Sequence, residues 1–191
     1  MKDRRNSFAR LAILLALALP AGCGTTDVYF DPNMDFGSLQ SVAVLPFQDL
    51  TRTQGAAGRV RDTYITMLLA TDAVYVLPAG EVAHGISKVG FIPPEGPSTE
   101  QVNQLSNILQ VEAIITGVLR EYGVVRSGAT SANIVSLGLQ MIEASTGRVV
   151  WSASSTRGGI TLLDRLLGAR GEPMNAVTEK VVNDLLDKLF D

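Results

Sequence analysis

The pattern that most restricts the fold is a strand, a helix and a second strand in succession near the start of the domain. Residues 40–47 (QSVAVLPF) form an apolar, β-branched run of strand length that Pro46 ends. Residues 58–70 then place apolar side chains at helical spacing, and residues 73–77 (AVYVL) have the composition of a strand. Two strands joined by a helix usually pair in parallel through a right-handed crossover. The sequence therefore predicts the beginning of an α/β sheet.

Two further helices are expected in the middle of the chain. A short helix is predicted over residues 79–88, and the segment 91–97 (FIPPEGP) reads as a rigid loop. Ser98 then has the position of a helix N-cap, and Gln101 completes a capping box with it.

Three more strands and a terminal helix complete the prediction. The strands are expected at residues 113–122, 132–143 and 148–156, and Gly147 suits positive φ in the turn between the last two. An amphipathic helix is predicted over residues 175–190. The predicted fold is a single α/β domain with a mixed sheet of about five strands flanked by helices.

The amino terminus has the features of a secretory signal peptide. A basic start precedes nine apolar residues, Leu11–Leu19, and the small residues Ala21 and Gly22 follow. Nine residues are too few to cross a bilayer, which takes about 20 in a helix. We therefore assign residues 1–22 to a signal peptide.

Cys23 is the only cysteine of the chain and follows the predicted signal directly. Leu-Pro-Ala-Gly-Cys resembles the lipobox of bacterial lipoproteins, although Pro20 departs from the usual residue at its position. The resemblance implies a diacylglyceryl group on the thiol, cleavage before the cysteine and acylation of its new amino group. The alternative is an ordinary signal peptide with an incidental cysteine. Gly24, in place of an aspartate, favours the outer over the inner membrane.

The predicted lipoprotein has two parts after the signal. Residues 23–39 are expected to form the lipidated cysteine and its tether, and residues 40–191 an α/β periplasmic domain. The tether holds three aromatic residues, Tyr29, Phe30 and Phe36, which is more than a spacer requires. They could pack on the domain's own flank or on a neighbouring subunit.

The charge of the mature chain excludes some partners. Without residues 1–22 the chain has 169 residues, 12 of them basic and 18 acidic, for a net charge of −6. This length suits one domain with its own core. An acidic chain lacks the basic footprint that nucleic-acid binding requires, and it is not drawn electrostatically to anionic lipid.

A search for catalytic chemistry finds no motif. His84 is the only histidine and is predicted on a helix surface, and Ser87 and Lys88, being adjacent, do not face each other on a helix. Phosphate-binding loops and nucleophile elbows are absent from the sequence. A carboxylate pair assembled by folding stays open among four scattered acids: Asp62, Asp72, Glu143 and Asp164. The prediction is a non-enzymatic protein without catalytic, cofactor-binding or metal-binding residues.

Two further features concern apolar side chains. Trp151, at the start of the last strand, is predicted to belong to the core or a sheet face. A short helix near residues 160–167 has four leucines on one face, which could be a partner- or membrane-facing patch or could pack on the core. These are Leu162, Leu163, Leu166 and Leu167.

Several segments together resemble a group of bacterial envelope lipoproteins. The segments are SVAVLPFQDLT, VYVLPAGEV, VEAIITGVLREYG and LQMIEASTGRVVWSAS, which lie between residues 40 and 156. The group includes CsgG, PelC, LpoB and the amino-terminal domain of TolB, and the layout is closest to a meningococcal lipoprotein family of unknown function. The resemblance implies a mixed α/β domain tethered to the periplasmic face of the outer membrane. Several members form rings, so a homo-oligomer is expected.

Two functions fit these features. The first is a non-enzymatic scaffold or oligomeric accessory of an envelope export, secretion or polysaccharide system. The second is a lipid-tethered regulatory module that binds and activates a cell-envelope enzyme. A closed ring favours the first function and a monomer the second.

Overall fold

Seven strands and four α-helices make up the part of the chain that the computed structural model describes, residues 28–90, 96–128, 130–159 and 172–190. The strands are β1 (Val28–Phe30), β2 (Ser41–Val44), β3 (Gln48–Asp49), β4 (Tyr75–Val76), β5 (Ala113–Ser127), β6 (Thr130–Glu143) and β7 (Val149–Gly158). The helices are α1 (Ala56–Ala70), α2 (Ala79–Val89), α3 (Thr99–Leu109) and α4 (Met174–Phe190), and a 3₁₀ turn spans Phe36–Ser38. The predicted single α/β domain is confirmed.

All seven strands belong to one open, mixed sheet. Its order is β1-β7-β6-β5-β2-β4, and β3 pairs separately with β5. β2 runs parallel to both β4 and β5, so the crossover predicted between residues 40 and 77 is present. The neighbours β5, β6, β7 and β1 are antiparallel. β1 and β4 are therefore the two outer edges of the sheet.

Helices cover the two faces of the sheet unequally. On one face, α1 and α4 pack over the large core, which includes Tyr64, Leu185 and the fully buried Trp151. The Trp151 indole N–H donates to the Lys188 carbonyl at 3.2 Å, which satisfies its polar atom. On the other face, α2 and α3 cover a smaller cluster around Leu105 and Ile114. The rest of that second face carries no helix from the described part of the chain.

Local sequence signals set the ends of several elements. Ser98 Oγ accepts from the Gln101 N–H at 3.3 Å, and Gln101 Oε1 accepts from the Ser98 N–H at 2.9 Å, so the predicted capping box is present. Gly147 has φ 67° in the β6–β7 turn, as expected. β5 and β6 extend further into their hairpin than predicted, to Ser127 and from Thr130.

The folded domain also starts earlier than the predicted boundary at residue 40. β1 pairs antiparallel with β7, with Val28 opposite Ala153 and Phe30 opposite Trp151. The chain then packs Met34 and Phe36 against the large core and buries Leu39. From Val28 onward, the segment assigned to the tether is thus part of the domain.

Candidate functional site

The residues singled out for chemistry do not come together. His84 is exposed on α2, where its carbonyl accepts from Ser87 Oγ at 2.8 Å. Asp62 and Asp72 are exposed on different segments, and Glu143 binds the Thr146 hydroxyl within its own turn. Within the described ranges, no group of three or more metal-ligating side chains is present. Cys23, Asp164 and the four leucines (Leu162, Leu163, Leu166 and Leu167) lie outside the described residues.

A groove beside α4 is lined by two basic and four acidic side chains, and two ion pairs form among them. Arg157 pairs with Asp184, and Lys180 pairs with Glu172. Burial opposes ionisation of Asp184, but the neighbouring Ser155 and Arg157 side chains and the nearby charge of Lys188 outweigh it, and its pKa lies below the ordinary value. A carboxylate held in this way is a structural ion and not a general acid or base.

The clearest candidate is instead the outer edge formed by β1. Tyr29 and Phe30 are 47% and 42% exposed there, although both are large and apolar. Phe30 packs edge-to-face on Phe36, with ring centroids 5.5 Å apart, so its ring is fixed in place. An exposed aromatic pair on a fixed backbone is typical of an interaction surface.

Asp31 fastens this edge to the body of the domain. It is only 5% exposed, and its carboxylate accepts from the Asn33 N–H at 2.9 Å and the Asn33 Nδ2 at 3.0 Å. Arg148 Nη2 lies 3.2 Å from Asp31 Oδ2, and the Asp31 N–H donates to the Val150 carbonyl. The Asn33 backbone bond lowers the pKa of Asp31, burial opposes it, and the Asn33 side chain and Arg148 add to the lowering. Asp31 therefore stays ionised and holds the end of β1.

The opposite edge, β4, exposes apolar side chains as well. Tyr75 is 60% exposed, and Leu69 at the end of α1 is 54% exposed. The Tyr75 and Leu77 N–H groups donate to the Gln40 and Val42 carbonyls of the β2 segment. Because backbone groups alternate along a strand, the Val76 N–H faces outward. β4 is a two-residue strand, and short edges limit unwanted pairing with other chains.

The uncovered part of the sheet carries both polar and apolar side chains. Thr116, Gln140, Ser152 and Ser154 line it together with Arg120. The Arg120 guanidinium lies across Gly138, where an added Cβ would be 2.7 Å from two of its nitrogens. A larger side chain at residue 138 would displace the exposed guanidinium of Arg120. This surface offers hydroxyl, amide and guanidinium groups to a polar partner.

The aromatic edge was not predicted as a site, although the sequence held a signal for it. Tyr29 and Phe30 stood out as too apolar for a spacer, but a three-residue strand followed by Pro32 is too short to recognise by periodicity. Among the described helices, none combines the length and the hydropathy needed to cross a bilayer.

A family model and a known protein both match most of the chain. The family model described as "Putative lipoprotein GNA1162-like" matches residues 36–191. A protein of Neisseria meningitidis serogroup B, named "Putative lipoprotein NMB1124/NMB1162", is 23% identical over 184 residues, 92% of this chain and 83% of that protein.

Two solved structures share the fold. The PelC dodecamer from Paraburkholderia phytofirmans superposes with a TM-score of 0.54 at 18% identity, over 85% of this chain and 94% of that chain. Lipoprotein GNA1162 from Neisseria meningitidis superposes with a TM-score of 0.52 at 19% identity, over 78% of this chain and 99% of that chain. The likeness inferred from the sequence segments is confirmed at the level of family and fold.

Proposed function

This chain belongs to the GNA1162-like lipoproteins, and from that premise we propose that it is anchored by lipid on Cys23 to the periplasmic face of the outer membrane. The signal peptide, residues 1–22, is removed, the Cys23 thiol carries a diacylglyceryl group, and its amino group is acylated. A single acyl chain holds a protein only marginally, whereas two or more hold it stably.

The observation that carries the proposed role is the short distance from Cys23 to the fold. The first described strand begins at Val28, so only residues 24–27 separate it from the anchor. At about 3.3–3.6 Å per residue, Cys23 and Val28 lie at most roughly 18 Å apart. A domain of this size has a radius of gyration of about 15 Å. The domain is thus held against the membrane and does not reach far into the periplasm.

We infer that the protein acts there as a non-enzymatic, oligomeric scaffold or accessory of an envelope export, secretion or polysaccharide system. Three observations support this role. Glu172 and Asp184 in the groove beside α4 are held in ion pairs, the open sheet face offers a surface for other subunits, and the PelC structures of the same fold are dodecamers. An activator of a distant enzyme needs a longer reach than residues 24–27 provide.

The test is the mass of the lipidated protein in detergent, measured by light scattering across a concentration series. A discrete assembly of many copies is expected. Residues 24–191 without lipid, measured in parallel, separate the contribution of the anchor from that of the domain. A monomer at every concentration in both forms would contradict the scaffold role and favour the lipid-tethered regulator.

A further inference from the structure

We infer that the exposed aromatic edge of β1, Tyr29 with Phe30, lies against the lipid surface in which Cys23 is anchored. The inference rests on the proposed lipidation of Cys23 and adds a second contact, made by the folded domain itself. Its occupant is the interfacial layer of the bilayer, which is the region between the acyl chains and the water.

Chain length restricts which part of the domain can touch the membrane. Val28 stays within roughly 18 Å of the anchored cysteine. The strand order puts β4 five strand spacings from β1, which is about 24 Å at 4.8 Å per spacing. The β1 edge is therefore the part of the sheet that the anchor keeps near the lipid, whereas the tether sets no such limit on the β4 edge.

The side chains at the β1 edge suit the interfacial layer. Tyrosine is enriched at membrane–water interfaces, where its ring is buried and its hydroxyl stays hydrated. Phe30 adds apolar area that the domain leaves exposed. Consecutive residues point to opposite faces of a strand, so the two rings flank the edge and enclose its backbone.

The charges near this edge also favour lipid. The carboxylate of Asp31 is buried and bound, whereas its partner Arg148 is 66% exposed. Arg148 thus presents a guanidinium, which can bind a lipid phosphate, next to the aromatic pair. The net charge of −6 on residues 23–191 explains why this contact depends on the anchor and does not form by attraction alone.

The test uses tryptophan as a depth probe in the full lipidated protein. The natural Trp151 lies opposite Phe30 in the β1–β7 pairing, so it is replaced by phenylalanine in every variant, which leaves one tryptophan in each protein. Three variants, Tyr29→Trp, Phe30→Trp and the matched control Tyr75→Trp on the opposite edge, are reconstituted in phosphatidylcholine vesicles with brominated acyl chains. We expect emission from positions 29 and 30 to be quenched at least threefold more than emission from position 75, and to shift to shorter wavelength.

Each other outcome overturns the inference in a distinguishable way. If the protein floats with the vesicles but positions 30 and 75 are quenched equally, the proposed contact of β1 with lipid is wrong and the proposed anchor still holds. If emission from position 30 shifts to shorter wavelength as the protein concentration rises, and lipid does not quench it, then β1 pairs with a second copy of the chain. Protein that does not float, and behaves like Cys23→Ser, overturns the proposed anchor together with the inference.

Discussion

The two outer edges of the sheet look alike in composition but differ in how the chain constrains them. β1 and β4 are both short, and each exposes a tyrosine beside another apolar side chain, Phe30 or Leu69. β1 is held by the hydrogen bonds and ion pair of Asp31, and it follows the proposed lipid attachment site, Cys23, within a few residues. β4 is bonded to β2 and lies far from that site. Similar exposed surfaces therefore differ in their distance along the chain from Cys23, and the different uses that we propose for them follow from that distance.

Removing the proposed lipid anchor should detach the protein from the membrane, so that neither edge of the sheet is kept near the lipid. We expect Cys23→Ser to reduce flotation with outer-membrane vesicles by more than tenfold, because no acyl chain is attached and the acidic domain has no electrostatic attraction to anionic lipid. Incorporation of a labelled palmitate analogue should disappear as well. Serine at residue 24 (Gly24→Ser) is the matched control and should retain the label. Unchanged flotation of Cys23→Ser would contradict the anchor.

Lengthening the segment between Cys23 and β1 should weaken the lipid contact of the β1 edge while the lipid anchor stays in place. Ten Gly/Ser residues inserted after Thr26 would let the domain move away from the bilayer, because such linkers behave as flexible coils. In the Phe30→Trp background, we expect quenching by brominated lipid to fall by about half, while flotation stays unchanged. The same insertion with Tyr75→Trp should alter the signal little. Undiminished quenching at position 30 would mean that the β1 edge binds lipid firmly without help from the short tether.

Neutralising Asp31 should loosen β1 in a pH-dependent manner. The pKa of Asp31 is lowered in the folded protein, mainly by the Asn33 backbone bond, from an ordinary value of 3.8. Its stabilising contribution is therefore fully present above pH 3.8 and is lost as the pH falls through the lowered folded-state pKa. We expect Asp31→Asn to unfold at lower urea concentration than the parent at pH 7, and this gap to close in acid.

The control for that measurement is Asp72→Asn, near the β4 edge. Asp72 has a left-handed backbone, φ 53°, which asparagine adopts equally well. The urea midpoint of Asp72→Asn should match that of the parent protein throughout the pH range. A constant gap between Asp31→Asn and the parent, independent of pH, would mean that shape and not charge holds β1.

The smallest effect is expected from the exposed rings themselves. Phe30→Ser should reduce the free energy of unfolding by about 1 kcal/mol, because it removes the edge-to-face contact with Phe36. Tyr75→Ser should change it by less than about 0.5 kcal/mol, since its ring is mostly in solvent. Urea unfolding of residues 24–191 measures both. Equal losses at the two edges would show that the Phe30–Phe36 contact contributes nothing.

The sequence predicted the elements whose signals are local or strongly periodic. The Ser98 capping box, the Gly147 turn and the buried Trp151 are all where their chemistry indicated. All five predicted strands are present. β1 and β3 were missed because two or three residues carry no periodicity, and their pairing depends on partners far away in the chain.

The candidate site was less accessible to prediction than the fold. Aromatic excess at Tyr29 and Phe30 was visible, but whether they pack inward or outward depends on the register with β7, which composition does not contain. In the structure, the rings of the segment do not all point the same way. Phe36 packs against the core, whereas Tyr29 and Phe30 remain largely exposed.

The pairing of β1 with β7 also determines how the domain responds to mechanical load. In the proposed lipoprotein, any pull between the bilayer and the domain enters the fold at Val28 and is carried by three paired positions, with the Asp31–Arg148 ion pair beyond them. If that strand detaches while Leu39 stays buried, residues 28–38 become free chain, which adds roughly 35–40 Å of reach. Detachment of β1 under load would then let the domain move further from the membrane while it stays attached through its lipid.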